Sequence, residues 1–555
     1  MMNDSNKLTI FEDNTIQNAL NKLEKCKEKL LICIKRNKKF SGVINDGDIR
    51  RAILNGAKID SSIKKFIVKD ATILNKQSTI GDANRLLNNR ILIIPVIDSF
   101  EKVVGYYSLK QKIEDSSSIS KDILIVGMGY VGLTLAATLS SIGFRVYGYD
   151  NNKKVINSLN KGKPTFYEKG LDKYIKSNNK KNLIFINKIK KGLASTFIIT
   201  VGTHLKKNSK KPNLNEIKKS SQEIGKILEK NDLVILRSTL PVGCTRGIVI
   251  PNIEKISKLK AGKDFYVSFA PERTAEGKAL IELRQNPQII GGFDSMSSQL
   301  TANIFNTFTH SIINVSNLES AEFCKLIDNC YRDHKFAFVN QLLEFCEKSK
   351  IDIYEIVNSV NHGYKRNDIP IPSPGVGGPC LSKDPYILAN NLERSNSNSL
   401  LLKNVRKVNE SALKYVYKKL MRMFKKVNKD ISKSKIFILG LAFKGEPETS
   451  DFRSSTTLDL INLIPNKKNL FVYDPIVNKE DIKKYKLKYS DINNGFNKAD
   501  AVIFLNNHKS FQDMNIKSLI KKMNKPSILI DTWRNFDPIE IKQIKGILYG
   551  GLGIE

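Results

Sequence analysis

The stretch ILIVGMGYVGLTLAATLSSIGFRVYGYD, residues 123–150, sets Gly127, Gly129 and Gly132 just after an apolar run and an acid, Asp150, eighteen residues beyond the last glycine. Glycines at that spacing let a chain leave a strand through a tight turn and bring a helix N-terminus against a pyrophosphate. Tyr130 and Val131 sit inside that turn. The Asp150 carboxylate can accept from a ribose hydroxyl and would repel a ribose phosphate, which points to NAD rather than NADP. A second stretch, PSPGVGGPCLSKDP at 372–385, crowds Pro374, Gly375, Gly377, Gly378 and Pro379 around one thiol, Cys380, with Lys383 and Asp384 following it. Most cysteines are small buried hydrophobes. A thiol in so constrained a place asks for a chemical reason.

These residues need a scaffold. Ile123–Val126 reads as an apolar strand, followed by a helical pattern and a second strand that ends at Asp150. Further strands are expected at 195–203 and 232–243, alternating with helical segments as a doubly wound sheet requires. A long helix from about 318 to 347 carries Phe323, Ile327, Cys330, His334, Phe338, Leu342 and Phe345 at its apolar positions. Four more apolar strands, within 434–445, 469–475, 499–507 and 526–533, make a second α/β layer. Ahead of all this lies a repeat. LLICIKRNKKFSGVINDGDIRRAIL (30–54) reads as strand, turn, strand, helix, with Asp46 or Asp48 placed to cap the helix, and 91–113 repeats that order. EDSSSISKD (114–122) then reads as a linker.

A chain of 555 residues is too long for one core and suggests about three or four domains. No apolar run reaches the roughly 18 residues of a membrane span, and MMNDSNKLTI lacks a signal-peptide layout, so a cytoplasmic protein without a membrane partner is expected. Seven cysteines (26, 33, 244, 324, 330, 346, 380) show no paired spacing and are read as reduced thiols. No metal is expected. The net charge of +36 invites a nucleic-acid partner, but the excess lysines are scattered through every segment and no recognition helix or aromatic-basic platform accompanies them. Nucleic acid is therefore not expected as a partner.

Eight pieces occur in one order from about residue 120 onward: GMGYVGL, VGT, STLPVG, PERTAEGKA, AEFCKLIDNCYR, PGVGGPCLSKD, GLAFKGEPETSDFR and YDP. Together they resemble the UDP-glucose/GDP-mannose dehydrogenase family, NAD-dependent enzymes that oxidise carbon 6 of a nucleotide sugar to a carboxylate. The resemblance implies two Rossmann-like doubly wound domains joined by a central helical domain, with the small α+β repeat in front. The repeat itself resembles a CBS tandem, GVINDGDIRR above all, which implies an adenine nucleotide as ligand. The domains expected are 1–118 (CBS-like), 119–314 (NAD-binding), 315–415 (central, dimerising and catalytic) and 416–555 (UDP-sugar-binding).

The family chemistry accounts for the thiol. An aldehyde loses hydride more readily once a nucleophile has added to it, so a thiohemiacetal on Cys380 would become a thioester that water cleaves. The glycines beside it, Gly377 and Gly378 included, would let the backbone approach the substrate. By the same resemblance Lys325 and Asn329, four apart on one helix face, stabilise the oxyanion, and Asp384 helps activate water. Thr239, Glu272 and Glu276 hold that water and act as acid or base. Thr203 and Lys383 join the cofactor site, and Lys444 and Arg453 hold the substrate's nucleotide. The product would feed polysaccharide synthesis, and a homodimer or larger homo-oligomer is implied. Arg366 is a candidate for reaching a neighbouring subunit's sugar.

Some positions depart from the family pattern. His204 and Ser382 stand where proline is usual, and EPETSDFRSS replaces an acidic run followed by Arg-Glu-Ser. Arg273 is similar to N-acetylhexosamine enzymes and Glu276 to UDP-glucose enzymes, so the sugar stays open. Two other classes compete. A single-step NAD-dependent alcohol or hydroxy-acid dehydrogenase leaves Cys380 and the last domain unexplained. A non-catalytic nucleotide sensor would not need Cys380 or Lys325, yet both are present.

Overall fold

Short, unbroken aliphatic runs dominate the strands of the larger part of the chain, because strands buried on both faces of a parallel sheet have no polar side to show. In the computed structural model, which describes residues 5–26, 28–76, 78, 83, 86, 91–108, 122–178, 181–206 and 209–554, those runs form two sheets. Contacts divide the chain into two units. One holds Met1–Lys121 with Arg284–Gln288 and Gln299–Ile313, and the other holds the remainder.

The first unit carries β1 (Thr9–Phe11), β2 (Leu30–Ile34), β3 (Phe40–Asn45), β4 (Leu74–Asn75), β5 (Ile93–Ile97) and β6 (Val103–Ser108). The repeat read in the sequence is visible in the pairing. β1–β2 and β4–β5 are parallel, β2–β3 and β5–β6 antiparallel, and each hairpin shifts register at an equivalent place, Cys33/Ile34 and Val96/Ile97. The cap of the helix Asp46–Leu54 differs from expectation. Asn45 is the N-cap: its side chain accepts from the Asp48 amide while Asp48 accepts from the Asn45 amide, a capping box that puts Asp46 inside the helix. The end of the second copy (109–113, of the 91–113 read) and all of the polar linker read over 114–122 except Asp122 lie outside the described residues.

The second unit begins with β7 (Asp122–Val126), β8 (Arg145–Tyr149), β9 (Leu183–Ile186) and β10 (Thr196–Ile199), then a small ladder of β11 (His204–Leu205) and β12 (Pro212–Asn213). β13 (Leu233–Leu236) and β14 (Tyr266–Phe269) follow, then β15 (Gln288–Gly292) and β16 (Ile312–Val315), whose first residues, Gln288 and Ile312–Ile313, are counted with the first unit. The main sheet runs β16-β15-β14-β13-β10-β7-β8-β9. Within this sheet the neighbours β9, β8, β7, β10, β13 and β14 are parallel, and the order reverses between β7 and β10, which opens a crevice at their carboxyl ends. A second, all-parallel sheet follows the same plan with β17 (Ile436–Leu439), β18 (Leu470–Tyr473), β19 (Lys488–Tyr489), β20 (Ala501–Phe504), β21 (Ser527–Asp531) and β22 (Ile547–Gly551), in the order β19-β18-β17-β20-β21-β22.

Between the sheets run the helices Leu318–Asn340, Asp384–Arg394 and Leu400–Lys426, which pack on one another. The long helix stops earlier than expected. At Asn340 the buried side chain leaves the helix to accept from the Ser373 amide and donate to Asn409, so the chain is tied to the cysteine loop and resumes as Leu343–Ser349. Its inner face buries polar groups among the apolar Leu318, Ala321, Leu326 and Cys330, and its outer face is apolar. Glu322, Lys325, Asn329 and Asp333 are buried, whereas Phe323, Ile327, Tyr331 and Phe338, with Phe345 beyond, are 40–62% exposed. Among the described residues no helix is long and apolar enough to cross a membrane.

Candidate active site

The turn after β7 shows why its glycines are needed. Gly127 has φ +102°, and a Cβ on Gly132 would lie 1.9 Å from the Gly127 carbonyl oxygen, so the helix Tyr130–Ser141 can start this close to the strand only without side chains there. Asp150, at the end of β8, accepts from the Met128 amide (2.9 Å) and the Asn152 amide (2.8 Å). Thr200 closes the other side by donating to the Gly127 carbonyl (2.7 Å).

A cleft of about 430 Å³ opens here, lined by Gly127, Gly129, Tyr130, Val131, Asp150 and Thr203 together with Thr239, Glu272, Glu276, Lys325, Cys380, Lys383 and Arg453. The dinucleotide turn and the thiol loop, some 250 residues apart in the chain, thus meet in one cavity. The Thr203 and Thr274 hydroxyls are buried without a protein partner and both residues line it. Unspent polar groups of this kind, beside an open glycine turn, fit a dinucleotide's phosphates and riboses.

The two glutamates differ sharply. Glu272 is buried against Arg237, whose Nε and Nη2 donate to Oε2 at 3.0 and 2.7 Å, and Oε1 accepts from the Arg273 and Thr274 amides. Burial alone would raise its pKa; the Arg237 charge and hydrogen bonds outweigh burial and hold it below the usual range. Glu276 accepts one hydroxyl, from Thr449 at 3.0 Å. Burial and the nearby Asp451 push it up to about 7, against the pull of Arg453 and Lys444. One acid is therefore fixed as an anion and the other is poised to exchange protons near neutrality.

Cys380 keeps accessible surface on the cleft, and its carbonyl accepts from the Lys383 and Asp384 amides as the helix Asp384–Arg394 begins. Desolvation and Asp384 raise the thiol, while Lys383 and Lys325 oppose them. Ser382, in place of proline, donates to the Gly378 carbonyl at 2.6 Å and so braces the loop. His204, the other departure, begins β11 and pairs opposite Asn213.

Several expected site residues stand behind the cleft rather than in it. Asp384 is fully buried, with its carboxylate held by Asn329 and Lys383, so it orients those two groups and does not face cleft water. Asn329 in turn accepts from Arg332. Gly377 and Gly378 use their missing side chains against the last domain: a Cβ on Gly377 would meet the Ser454 carbonyl oxygen at 2.5 Å, and one on Gly378 the Phe443 ring at 2.7 Å. Lys444 donates to the Glu276 carbonyl at 2.7 Å. Arg453, which does line the cleft, pairs with Asp451 in its own loop.

Sequence reading missed Arg237. A charge directly after the apolar run of β13 was the available signal, since a buried guanidinium must be paired. It also missed Glu322, which accepts from the Gly243 and Thr245 amides and the Thr245 hydroxyl and so fixes the loop after Thr239 to the long helix.

A glycine-turn dinucleotide site facing a thiol, an ammonium and a poised acid defines an NAD-dependent oxidoreductase. The family models for the NAD-binding, central and UDP-binding domains of the UDP-glucose/GDP-mannose dehydrogenases match residues 121–309, 319–411 and 437–538. The chain belongs to that family and is an NAD-dependent nucleotide-sugar dehydrogenase. It is 31% identical over 418 residues to the UDP-N-acetyl-D-mannosamine dehydrogenase of Pyrococcus horikoshii, covering 74% of this chain and 94% of that one. With the Campylobacter jejuni enzyme of the same name it shares 32% over 400 residues, 70% and 96% of the two chains. The solved P. horikoshii structure superposes with a TM-score of 0.70 at 30% identity over 78% of this chain and 99% of that one. That of the Staphylococcus aureus UDP-N-acetyl-mannosamine dehydrogenase gives 0.67 at 27% over 78% and 98%.

Proposed function

We propose that the chain oxidises carbon 6 of a UDP-N-acetylhexosamine, of the N-acetylmannosamine type, from alcohol to carboxylate through a covalent intermediate on Cys380. The observation that carries this is the single cleft shared by the dinucleotide turn, Cys380, Lys325 and the two unlike glutamates. The likeness to UDP-N-acetyl-D-mannosamine dehydrogenases supports the amino sugar over glucose.

Gly127, Gly129, Tyr130, Val131 and Gly132 would hold the pyrophosphate of NAD, Asp150 a ribose, and Thr203 and Lys383 the remainder. Bound NAD supplies the hydride acceptor, used twice for each sugar. The chain does the rest. Lys325, buried at the cleft, stabilises negative charge on the substrate oxygen. The alcohol first gives up its hydroxyl proton to water and a hydride from its carbon, leaving the aldehyde. The Cys380 sulfur then adds to the aldehyde carbon while its thiol proton passes to the aldehyde oxygen, and loss of that proton to water and of hydride from the same carbon leaves a thioester. Glu276 takes a proton from the water that cleaves it, Thr239 and the Arg237-fixed Glu272 hold that water, and the cysteine leaves as thiol. Lys444 and Arg453 would neutralise the nucleotide's phosphates.

The same reading sets domain boundaries near 118, 314 and 415, an adenine nucleotide at the CBS-like repeat, and a second copy on the exposed aromatic stripe of the long helix. A panel of UDP-N-acetylmannosamine, UDP-N-acetylglucosamine, UDP-glucose, UDP-galactose and GDP-mannose tests the substrate. Two NADH and one uronic acid per UDP-N-acetylhexosamine are expected. One NADH with free aldehyde as final product overturns the thioester route, and turnover of GDP-mannose alone overturns the substrate.

A further inference from the structure

Glu276 is gripped by its own peptide. The Gly277 amide donates to Glu168 Oε2 at 2.7 Å and lies 3.1 Å from the Tyr130 hydroxyl, and that hydroxyl donates to the same Glu168 oxygen at 2.6 Å. The Ala275 carbonyl lies 3.1 Å from the Tyr130 oxygen, so the phenol touches both residues flanking Glu276. Glu168 is 4% exposed, and Tyr130 is further braced by the Phe166 ring, centroids 5.1 Å apart. Gly277 has φ +90°, and a Cβ there would lie 2.3 Å from the Glu448 carbonyl oxygen. No side chain can therefore replace this arrangement by packing. On the opposite side the Glu276 carbonyl and carboxylate meet Lys444 and Thr449.

Tyr130 is also the first residue of the helix behind the glycine turn. Its backbone belongs to the dinucleotide seat while its phenol reaches 147 residues along the chain to the acid's loop. We propose that Tyr130 and Glu168 are positioning residues that clamp the 275–277 peptides and so set the aim of Glu276, tying the cofactor turn to the acid/base. This rests on the acid/base reading of Glu276 given above. Burial and Glu168 raise the Tyr130 phenol far above its ordinary range, so it keeps its proton and serves as a donor throughout the working pH range. Asp451, Arg453 and Lys444 face Glu276 from the last domain and Cys380 from across the cleft.

Three variants test it: Tyr130→Phe, which keeps the ring and the backbone amide, Glu168→Ala, and Glu168→Gln, which still offers an acceptor to the Gly277 amide. Tyr130→Phe and Glu168→Ala are expected to lower kcat roughly tenfold or more. NAD affinity, read by quenching of protein fluorescence, should stay within about twofold. Water admitted at the freed peptide should move the acidic limb of the kcat profile to lower pH. Glu168→Gln should recover much of the loss. Unchanged kcat and pH profile, or a kcat loss matched by an equal loss of NAD affinity, would overturn the clamp. Glu276→Gln separates the two claims. If it is impaired while Tyr130→Phe is normal, the clamp alone fails; if Glu276→Gln turns over normally, the acid/base reading fails and the clamp with it.

Discussion

The two faces of the helix Leu318–Asn340 both depart from the usual rule, the inner one by burying charge among its apolar residues and the outer one by exposing aromatics. Its inner face buries Glu322, Lys325, Asn329 and Asp333, and its outer face leaves Phe323, Ile327, Tyr331 and Phe338 in the open. Burying charge costs free energy unless every group is paired, and exposing an aromatic stripe wastes the hydrophobic effect. A helix that does both fits a reactive cleft on one side and the second copy proposed above on the other. The inner charges bear this out in their contacts: Glu322 fixes the loop at 243–245, Asp333 pairs with the buried Arg406 at 2.6 Å, and Lys325 alone among the four lines the cleft.

Breaking the inner face should have the largest effect. Lys325→Met removes the ammonium while keeping the stem, and a fall in kcat of about 10³-fold, roughly 4 kcal/mol, is expected with the fold retained. Cys380→Ala should release no uronic acid at all. A Lys325→Met enzyme within about tenfold of wild type would show that the buried ammonium is structural.

Breaking the outer face should spare chemistry and change assembly. Phe323→Asp with Ile327→Asp places two charges where a second copy is proposed to bury aromatic surface. Each lost contact of that kind is worth roughly 2 kcal/mol, so the dissociation constant should rise by at least about 10²-fold. Sedimentation velocity at micromolar concentration should then show a smaller species than wild type. An unchanged sedimentation profile would place the interface elsewhere.

Much of this was legible in the sequence for a physical reason. Parallel strands buried on both faces read as aliphatic runs: β10, β13, β17, β18, β20 and β21 all fall inside the stretches expected, and β7 starts one residue ahead of its stretch, at Asp122. The glycine turn and Asp150 were legible because backbone geometry dictates residue type. What escaped were partnerships that depend on distance in space. Arg237 meets Glu272 across 35 residues, Glu322 meets Thr245 across 77, and Tyr130 meets Gly277 across 147. The helix break at 341–342 escaped because the apolar spacing runs through it; a buried asparagine bonded to the cysteine loop decides it. Gly377 and Gly378 were read as room for substrate, whereas the contacts they permit are with Ser454 and Phe443.

The smallest expected effect concerns what the interior acids cost. Glu276 and Glu322 are both pushed up to about 7, chiefly by burial, from an ordinary 4.5. An acid whose folded-state pKa lies above its unfolded value holds its proton more tightly in the folded protein. Its stabilising contribution is therefore fully present below about 4.5 and is lost as pH rises through about 7. Glu322 recovers part of that loss through three donors, while Glu276 has only the Thr449 hydroxyl on its carboxylate. Glu276→Gln removes the titration and keeps an acceptor for Thr449. Urea unfolding should find the variant more stable than wild type by about 1–3 kcal/mol at pH 8, after allowance for partial solvent screening, with the difference largely gone near pH 5. A gap of the same size at both pH values would mean that the folded carboxyl titrates in its ordinary range. The raised proton affinity on which its proposed role as a base rests would then be absent.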